Sequence, residues 1–328
     1  MIVSFVNAGL LSLIEPIGVI MGANIGTSVT NTFVSMGHAS NREEFKRAFA
    51  GATVHDFFNV LSVAVLLPLE MAFGIIEKVS AWMTTLLVGT GGATFDSPLK
   101  MIIKPVVKLF ISVDKAKIKA ASVGQEVDGS LLKGGIFHDT GLSDGAVGGI
   151  ILAGSAVLTI LALIGIVKLM KGLMEARAAT WIKKALEKNA YVSMGVGAGA
   201  TVVVQSSSIT TSTLVPMVGI GLVSLEAIFP LTLGANIGTT ITALLASMAS
   251  TGETATLGLQ IALCHLLFNI LGILIWFPIP FMREVPLNMA RKLSGIVAQH
   301  RWAAAVYIVV LFFLVPLGIL AIDKYVFA

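Results

Sequence analysis

The stretch "IMGANIGTSVTNTFVSM" at residues 20–36 returns as "TLGANIGTTITALLASM" at residues 232–248. Asn24 thereby falls on Asn236, 212 residues further on. Downstream of each copy a second motif recurs. "ATVHDFFNVL" (52–61) matches "ALCHLLFNIL" (262–271), aligning His55 with His265 and Asn59 with Asn269 at an offset of 210, which Pro68 and Pro278 keep. Two motifs in the same order at nearly the same spacing mark a duplicated unit, and a duplication decides architecture before any single motif does.

Composition says which solvent surrounds that unit. Of the 328 residues, 56% are hydrophobic and 12% charged, with a mean hydropathy of +0.92. A soluble domain carries about a quarter charged residues, so the expectation is an all-α polytopic membrane protein. Apolar stretches approach the length that crosses a bilayer, most clearly Phe57–Phe73, Ala146–Met170, Leu257–Phe281 and Ala303–Ile322. A net charge of +4 and a pI near 9.2 raise the question of nucleic acid. The basic residues sit in short segments between spans, which is the usual cytoplasmic bias, so no nucleic-acid partner is expected. A single cysteine, Cys264, leaves no disulfide framework and no CxxC metal site.

Charge also bears on how the copies are oriented. After the first GANIG copy the chain reads "SNREEFKR" (40–47), with Arg42, Lys46 and Arg47, whereas the matching "STGETATLG" (250–258) has no positive residue. If positive segments face the cytoplasm, equivalent segments face opposite sides and the repeats are inverted. On that reading Lys100, Lys104, Lys108, Lys115, Lys117 and Lys119 lie outside, against the rule, as long loops often do. Residues 1–111 form the first repeat, 112–143 a short extramembrane loop, and 144–328 the second repeat. By the same offset, the counterpart of residues 144–211 is expected ahead of Met1, so the first repeat reads as lacking its N-terminal part.

The stretch without a visible counterpart is the most polar one. "TVVVQSSSIT" (201–210) sets Gln205, Ser206, Ser207 and Ser208 in a row inside apolar sequence, where hydrocarbon has no water to satisfy them. Serine and threonine in membrane helices often only bond back to the preceding turn or let helices pack closely. Four consecutive polar residues together with a duplicated GANIGT point instead to a binding site. Gly22, Gly26, Gly234 and Gly238 bracket Asn24 and Asn236, and such segments are expected to unwind, exposing half-helix N-termini that favour an anion. Asn24, Thr27 and Ser28 of the first copy, with Asn236, Thr239 and Thr240 of the second, are therefore candidate anion ligands beside QSSS. The same oxygens suit a hard cation such as sodium. Secondary transporters bind substrate and coupling ion where broken helices of two inverted repeats meet. His55 and His265 read first as interhelical hydrogen-bond residues. Asp56, opposite Leu266 in the second copy, is a carboxylate near a span and functional by default.

These motifs resemble the type II sodium-phosphate cotransporters and their bacterial relatives. The resemblance runs from about residue 1 to 322 and rests on "GANIGTSVTNT" (22–32), "FKRAFAGATVHDFFN" (45–59), "IFHDTGLSD" (136–144), QSSS, "PLTLGANIGTT" (230–240), "QIALCHLLFNILGIL" (260–274) and "WFPIPF" (276–281). It implies sodium-coupled symport of inorganic phosphate by alternating access, with QSSS on a re-entrant hairpin in each of two inverted repeats. Gln205, Ser206, Ser207 and Ser208 would be the second half of the phosphate site, with sodium near Asp56, Asn59, Asn41, Asn236, Thr239 and Asn269. Electrogenic members carry Ala-x-Ala-x-x-x-Asp, present here as Ala50, Ala52 and Asp56. Where vertebrate members have Gln, Asp and Ser around another sodium, this chain has His38, Asn41 and Ala235, which removes a carboxylate and a hydroxyl.

The resemblance implies no enzyme and no cofactor beyond cotransported sodium. A serine hydrolase using QSSS with His265 as base lacks the G-x-S-x-G elbow, and a purely structural protein has no use for matched anion-suited segments. Sulfate or arsenate is the alternative substrate, since neutral hydroxyls do not by themselves separate tetrahedral oxyanions. Residues 112–143 contain neither cysteine nor asparagine, unlike the glycosylated loop of animal members, so a bacterial plasma membrane is the expected location.

Overall fold

The computed structural model describes residues 15–87, 140–174, 189–248 and 253–317, with parts of 105–138. In chain order the helices are α1 (Glu15–Thr27), α2 (Val29–Ser35), α3 (Arg42–Phe73), α4 (Ile75–Leu87), α5 (Asp144–Met174), α6 (Ala190–Val204), α7 (Ser207–Gly219), α8 (Leu225–Met248), α9 (Glu253–Trp276), α10 (Pro280–Gln299) and α11 (Trp302–Val309), which runs into a π-turn over Val310–Leu314. One antiparallel ladder, β1 (Ser112–Val113) with β2 (Leu132–Gly134), qualifies the all-α expectation. Among the described residues, three helical segments are long and apolar enough to cross a membrane: Arg42–Phe73, Leu225–Leu245 and Thr256–Trp276.

The chain forms two compact units, residues 1–95 with 166–328, and residues 96–165. In the smaller unit Ser143 Oγ caps α5 by accepting from Ala146 N at 3.3 Å, and the carboxylate of Asp144, in the first turn, accepts from Ser130 Oγ at 2.6 Å and Leu131 N at 2.8 Å, fixing β2's approach.

In the larger unit local chemistry sets the helix ends. Asn41 is extended and caps α3, its Oδ1 accepting from Glu43 N and Glu44 N at 3.0 and 3.2 Å. Gly74 ends α3 in the left-handed region at φ 60°, and the buried Glu70 carboxylate caps the next helix through Ile76 N and Glu77 N at 2.6 and 2.9 Å. Arg42, Lys46 and Arg47 thus lie on α3 rather than in a loop. Pro68 is absorbed inside α3, whereas α9 stops at Trp276, just before Pro278, and the chain restarts at Pro280. The expected span Leu257–Phe281 is therefore shortened. Proline lacks the N–H a helix needs and clashes with the turn before it, and Pro280 then takes the first position of α10, where neither matters. Residues 318–322 of the expected last span lie outside the described residues.

Among the described residues the copies pack through three apolar clusters. Phe58, Phe229 and Phe277 meet edge to face, with centroids 6.2 and 6.0 Å apart, joining α3, α8 and the end of α9. Ile17, Ile20 and Met21 of α1 lie against Leu66, Ile76 and Phe268. Phe45 and Phe49 pack on Val297 and Ala304. Outward-facing residues are apolar too, among them Leu152, Val203, Leu274 and Phe313, while Asn24, Asn31, His55, Asp56, Asn59, Asn236 and Asn269 are buried. Polar inside and apolar outside is the arrangement a bilayer selects.

The GANIG segments depart from expectation. α8 runs unbroken through Gly234 and Gly238, and α1 runs through Gly22 and Gly26 before breaking at Ser28. The glycines of α8 admit a neighbour rather than unwind the helix. A Cβ on Gly234 would lie 1.8 Å from Met194 O, one on Gly238 2.5 Å from Ala198 O, and one on Gly197 of α6 2.1 Å from Leu231 O. The backbones of α6 and α8 are thus in contact, as small residues permit in membranes.

Candidate functional site

The QSSS stretch is the turn between two short helices. α6 and α7 have 15 and 13 residues, about 22 and 20 Å of rise, short of the roughly 30 Å hydrocarbon layer. Gln205 takes the left-handed conformation at φ 54°, alone among described residues other than glycine, and its N–H bonds Thr201 O at 2.7 Å. Ser206 is extended and caps α7, its Oγ accepting from Ile209 N at 3.3 Å. Ser207 is buried in the first turn. The hairpin is pinned further in, where Thr201 Oγ1 donates to Thr210 Oγ1 at 3.0 Å. First-turn amides of a helix have no intrahelical acceptor, so this turn gathers hydroxyls and N–H groups in one place.

The first GANIG copy meets that turn. Ser208 Oγ donates to Thr27 O at 3.4 Å, and Thr211 and Ser212 both donate to Asn31 Oδ1, at 2.9 and 3.0 Å. The α1–α2 break at Ser28 therefore lies against α7. Thr27 and Ser28 donate their hydroxyl protons to Ala23 O and Ile25 O, at 2.7 and 2.6 Å, leaving oxygen lone pairs as their remaining capacity. In the second copy Thr239 and Thr240 do likewise, toward Ala235 O at 3.2 Å and Ile237 O at 2.7 Å.

Asn24 and Asn236 belong to a different constellation. His55 Nε2 donates to Asn236 Oδ1 at 2.7 Å, and His265 Nε2 donates to Asn24 Oδ1 at 3.2 Å. Each histidine thus holds the GANIG asparagine of the opposite copy. Asn59 joins the two, accepting from Asn236 Nδ2 at 3.1 Å and donating to Asn24 O at 2.9 Å. Its counterpart Asn269 is fully buried, yet neither side-chain atom has a hydrogen-bond partner among the described residues. The histidines are interhelical hydrogen-bond residues.

Asp56 lies elsewhere on α3. It is fully buried, Tyr307 of α11 donates to its Oδ2 at 2.7 Å, and the hydroxyls of Ser28 and Thr32 face the same carboxylate. Ser28 therefore faces a negative group. Asn41 stands apart from all of these. It precedes Asn59 by 18 residues on the same helix, about 27 Å along the axis, and its amide is used in capping. His38, beside it, bonds Glu44 Oε2 at 3.0 Å.

Sequence reasoning did not single out Tyr307, Asn31, Thr32, Thr201 or Thr211. Asn31 and Thr32 sit in the quoted repeat, but their counterparts are Ala243 and Leu244, so duplication gave no signal. Among the described residues no three His, Cys, Asp or Glu side chains gather as a metal site. The oxygens here are amides, hydroxyls, carbonyls and one carboxylate, a set suited to hard monovalent cations.

A family model described as Na+/Pi-cotransporter matches residues 1–88 and 158–319. The chain belongs to that family. Among curated proteins it is 43% identical to the sodium-dependent phosphate transport protein 2A of Rattus norvegicus, over 96% of this chain and 56% of that protein. It is 39% identical to the transport protein 2B of Bos taurus and of Homo sapiens, over 98% of this chain and 55% of each relative. The chain spans about half the length of these curated relatives. No solved structure matches it.

Proposed function

We propose that the chain carries inorganic phosphate across a membrane together with sodium, by alternating access between two inverted repeats. The supporting observation is the QSSS turn, placed where two helices too short to cross meet, with the broken α1–α2 segment of the other copy against it. On this reading α6 and α7 form a re-entrant hairpin of the second repeat. Gln205, Ser206, Ser207 and Ser208 hold phosphate oxygens through hydroxyl, amide and first-turn N–H groups. These are neutral donors, so they bind the anion without adding fixed positive charge that would resist its release.

Cotransported sodium supplies the compensating charge. Two oxygen sets are proposed for it: Asp56 with Thr32 and Ser28, and the side chains of Asn59, Asn236, Asn269 and Thr239. Three sodium ions moving with one divalent phosphate transfer one net charge, worth about 2.3 kcal/mol per 100 mV. That coupling lets the membrane potential drive accumulation.

The test is radiolabelled phosphate uptake into proteoliposomes under an inward sodium gradient, against the same vesicles in potassium. Uptake that needs sodium and is displaced only weakly by sulfate is expected. Sodium-dependent uptake of sulfate or arsenate in preference to phosphate assigns the site to another oxyanion, and uptake without sodium removes the coupling.

A further inference from the structure

Beyond the motifs of the two copies lies a residue that reaches back into the first. Tyr307 sits on α11, after the last duplicated segment, in an aromatic bracket of Phe49, Phe57 and Phe312 with ring centroids 6.0, 6.3 and 6.2 Å away. Its hydroxyl donates to Asp56 Oδ2 at 2.7 Å. The other carboxylate oxygen, Oδ1, is buried and has no hydrogen-bond partner among the described residues that meets hydrogen-bond geometry, and the same is true of Thr32 Oγ1, which faces the carboxylate. Ser28, beside them, has spent its proton on Ile25 O. Three oxygens with lone pairs to offer, one of them anionic, converge, and the protons that face Asp56 from Thr32 and Ser28 are those of hydroxyls. Such a group is costly to bury empty, and it is the ligand set a hard cation takes.

The chemistry of a phenol explains why tyrosine stands here. A lysine or arginine against Asp56 would neutralise it and compete with the cation. A phenol has a single proton, so it fixes one carboxylate oxygen and leaves the other anionic. Its ring, wedged among three aromatics, cannot follow the carboxylate if the latter turns. We propose that Tyr307 is a positioning residue for a cation site formed by Asp56 Oδ1, Thr32 Oγ1 and Ser28 Oγ. It aims Oδ1 at the ion and so sets sodium affinity without touching phosphate. The proposal rests on reading Asp56 as a coupling-ion ligand.

The experiment is a double-mutant cycle on the full chain in proteoliposomes, with Tyr307→Phe, Asp56→Asn and the pair, reading phosphate uptake against sodium concentration. Loss of a hydrogen bond to a charged group predicts a half-saturating sodium concentration raised roughly tenfold in Tyr307→Phe. The phosphate KM at saturating sodium should stay within about twofold of the parent, and Tyr307→Phe should add nothing once Asp56 is Asn, as coupled residues require. The sodium-dependent rise in melting temperature of the detergent-solubilised protein, which needs no transport, should shrink in parallel. Unaltered sodium dependence in Tyr307→Phe beside a shifted Asp56→Asn overturns the role of Tyr307 and leaves that of Asp56 standing. Unaltered dependence in both removes the cation site itself. Additive effects in the pair, or a Tyr307→Phe protein that does not fold although every ring contact is kept, make the tyrosine a structural residue and overturn the proposal.

Discussion

The two GANIG segments share six identical residues in a row, GANIGT, and live in opposite surroundings. In the second copy Gly234 and Gly238 press α8 onto the backbone of α6, and the helix continues to Met248. In the first, Gly22 and Gly26 have nothing within 4 Å among the described residues, and the helix breaks at Ser28 to meet the QSSS turn. The same contrast recurs one helix later. Asn59 makes two bonds and Asn269 none, and Asp56 has only a leucine as its counterpart. Duplication thus supplied two frameworks, and substitution at a few positions left the buried carboxylate of Asp56 in one of them and a leucine in the other.

The comparison breaks most visibly at the glycines. Gly234→Ala places a methyl 1.8 Å from Met194 O, a backbone atom that no rotamer change moves aside. Overpacking costs about 1–3 kcal/mol where side chains can yield, so the effect here should exceed that, with little folded protein on size-exclusion chromatography in detergent. Gly22→Ala meets nothing and should be neutral, or more stable by about 0.5–1 kcal/mol from better helix propensity. Equal tolerance at both positions would show that the α6–α8 contact is not what holds the second copy together.

Next in size is charge. Leu266 cannot bind an ion, so a carboxylate at Asp56 gives the first copy a capacity the second lacks. Asp56→Gly should abolish net current while sparing part of the sodium-dependent phosphate uptake, read as current and isotope flux in the same vesicles. Wild-type charge moved per phosphate in that variant would return Asp56 to a structural role and erase this difference between the copies.

A smaller effect is expected at the turn. Ser206→Ala and Ser207→Ala each remove one hydroxyl from the proposed anion site, worth about 1.5–3 kcal/mol for a charged acceptor. The apparent phosphate affinity should fall roughly tenfold or more at unchanged protein level. Ser206→Ala also loses the cap on Ile209 N, so Ser207→Ala is the cleaner reading. Unchanged phosphate dependence in both variants would move the site away from QSSS.

What was legible in the sequence follows from what duplication encodes. The repeat located the helices carrying Asn24, Asn236, His55 and His265, because both copies kept the residues that tie them crosswise. The polar run at 205–208 stood out as a candidate site, but its place in a turn was implied only by the family resemblance, since serine hydroxyls also bond back within a helix. The partner of Asp56 was not legible. Tyr307 lies beyond the duplicated motifs, 251 residues away, in a segment that reads only as apolar. The glycines were misread as helix breakers because Gly in a helix and Gly at a close helix crossing look alike until the neighbour is known. Asn41, placed with sodium by resemblance, stands at a helix start, where asparagine is also the ordinary cap.

The finest comparison is Asn59 against Asn269. Replacing Asn59 by Leu leaves Asn236 Nδ2 and the Asn24 carbonyl without their partners, and a buried polar group stripped of its partner costs about 1–3 kcal/mol. The melting temperature should therefore fall whether the medium holds sodium or choline. Asn269 has no such bonds to lose. Its amide is desolvated without compensation, so Asn269→Leu, similar in volume, should melt at or slightly above the parent temperature in choline. If Asn269 lends its oxygen to sodium, the same variant should forfeit the added stability that sodium gives the parent, since a ligand binding only the folded form stabilises it in proportion to the logarithm of its occupancy. The discriminating readout is the sodium increment of the melting temperature rather than the temperature itself. A fall in choline as large as that of Asn59→Leu would mean that Asn269 has a structural partner after all, and of the buried polar differences between the copies Asp56 would then stand without Asn269.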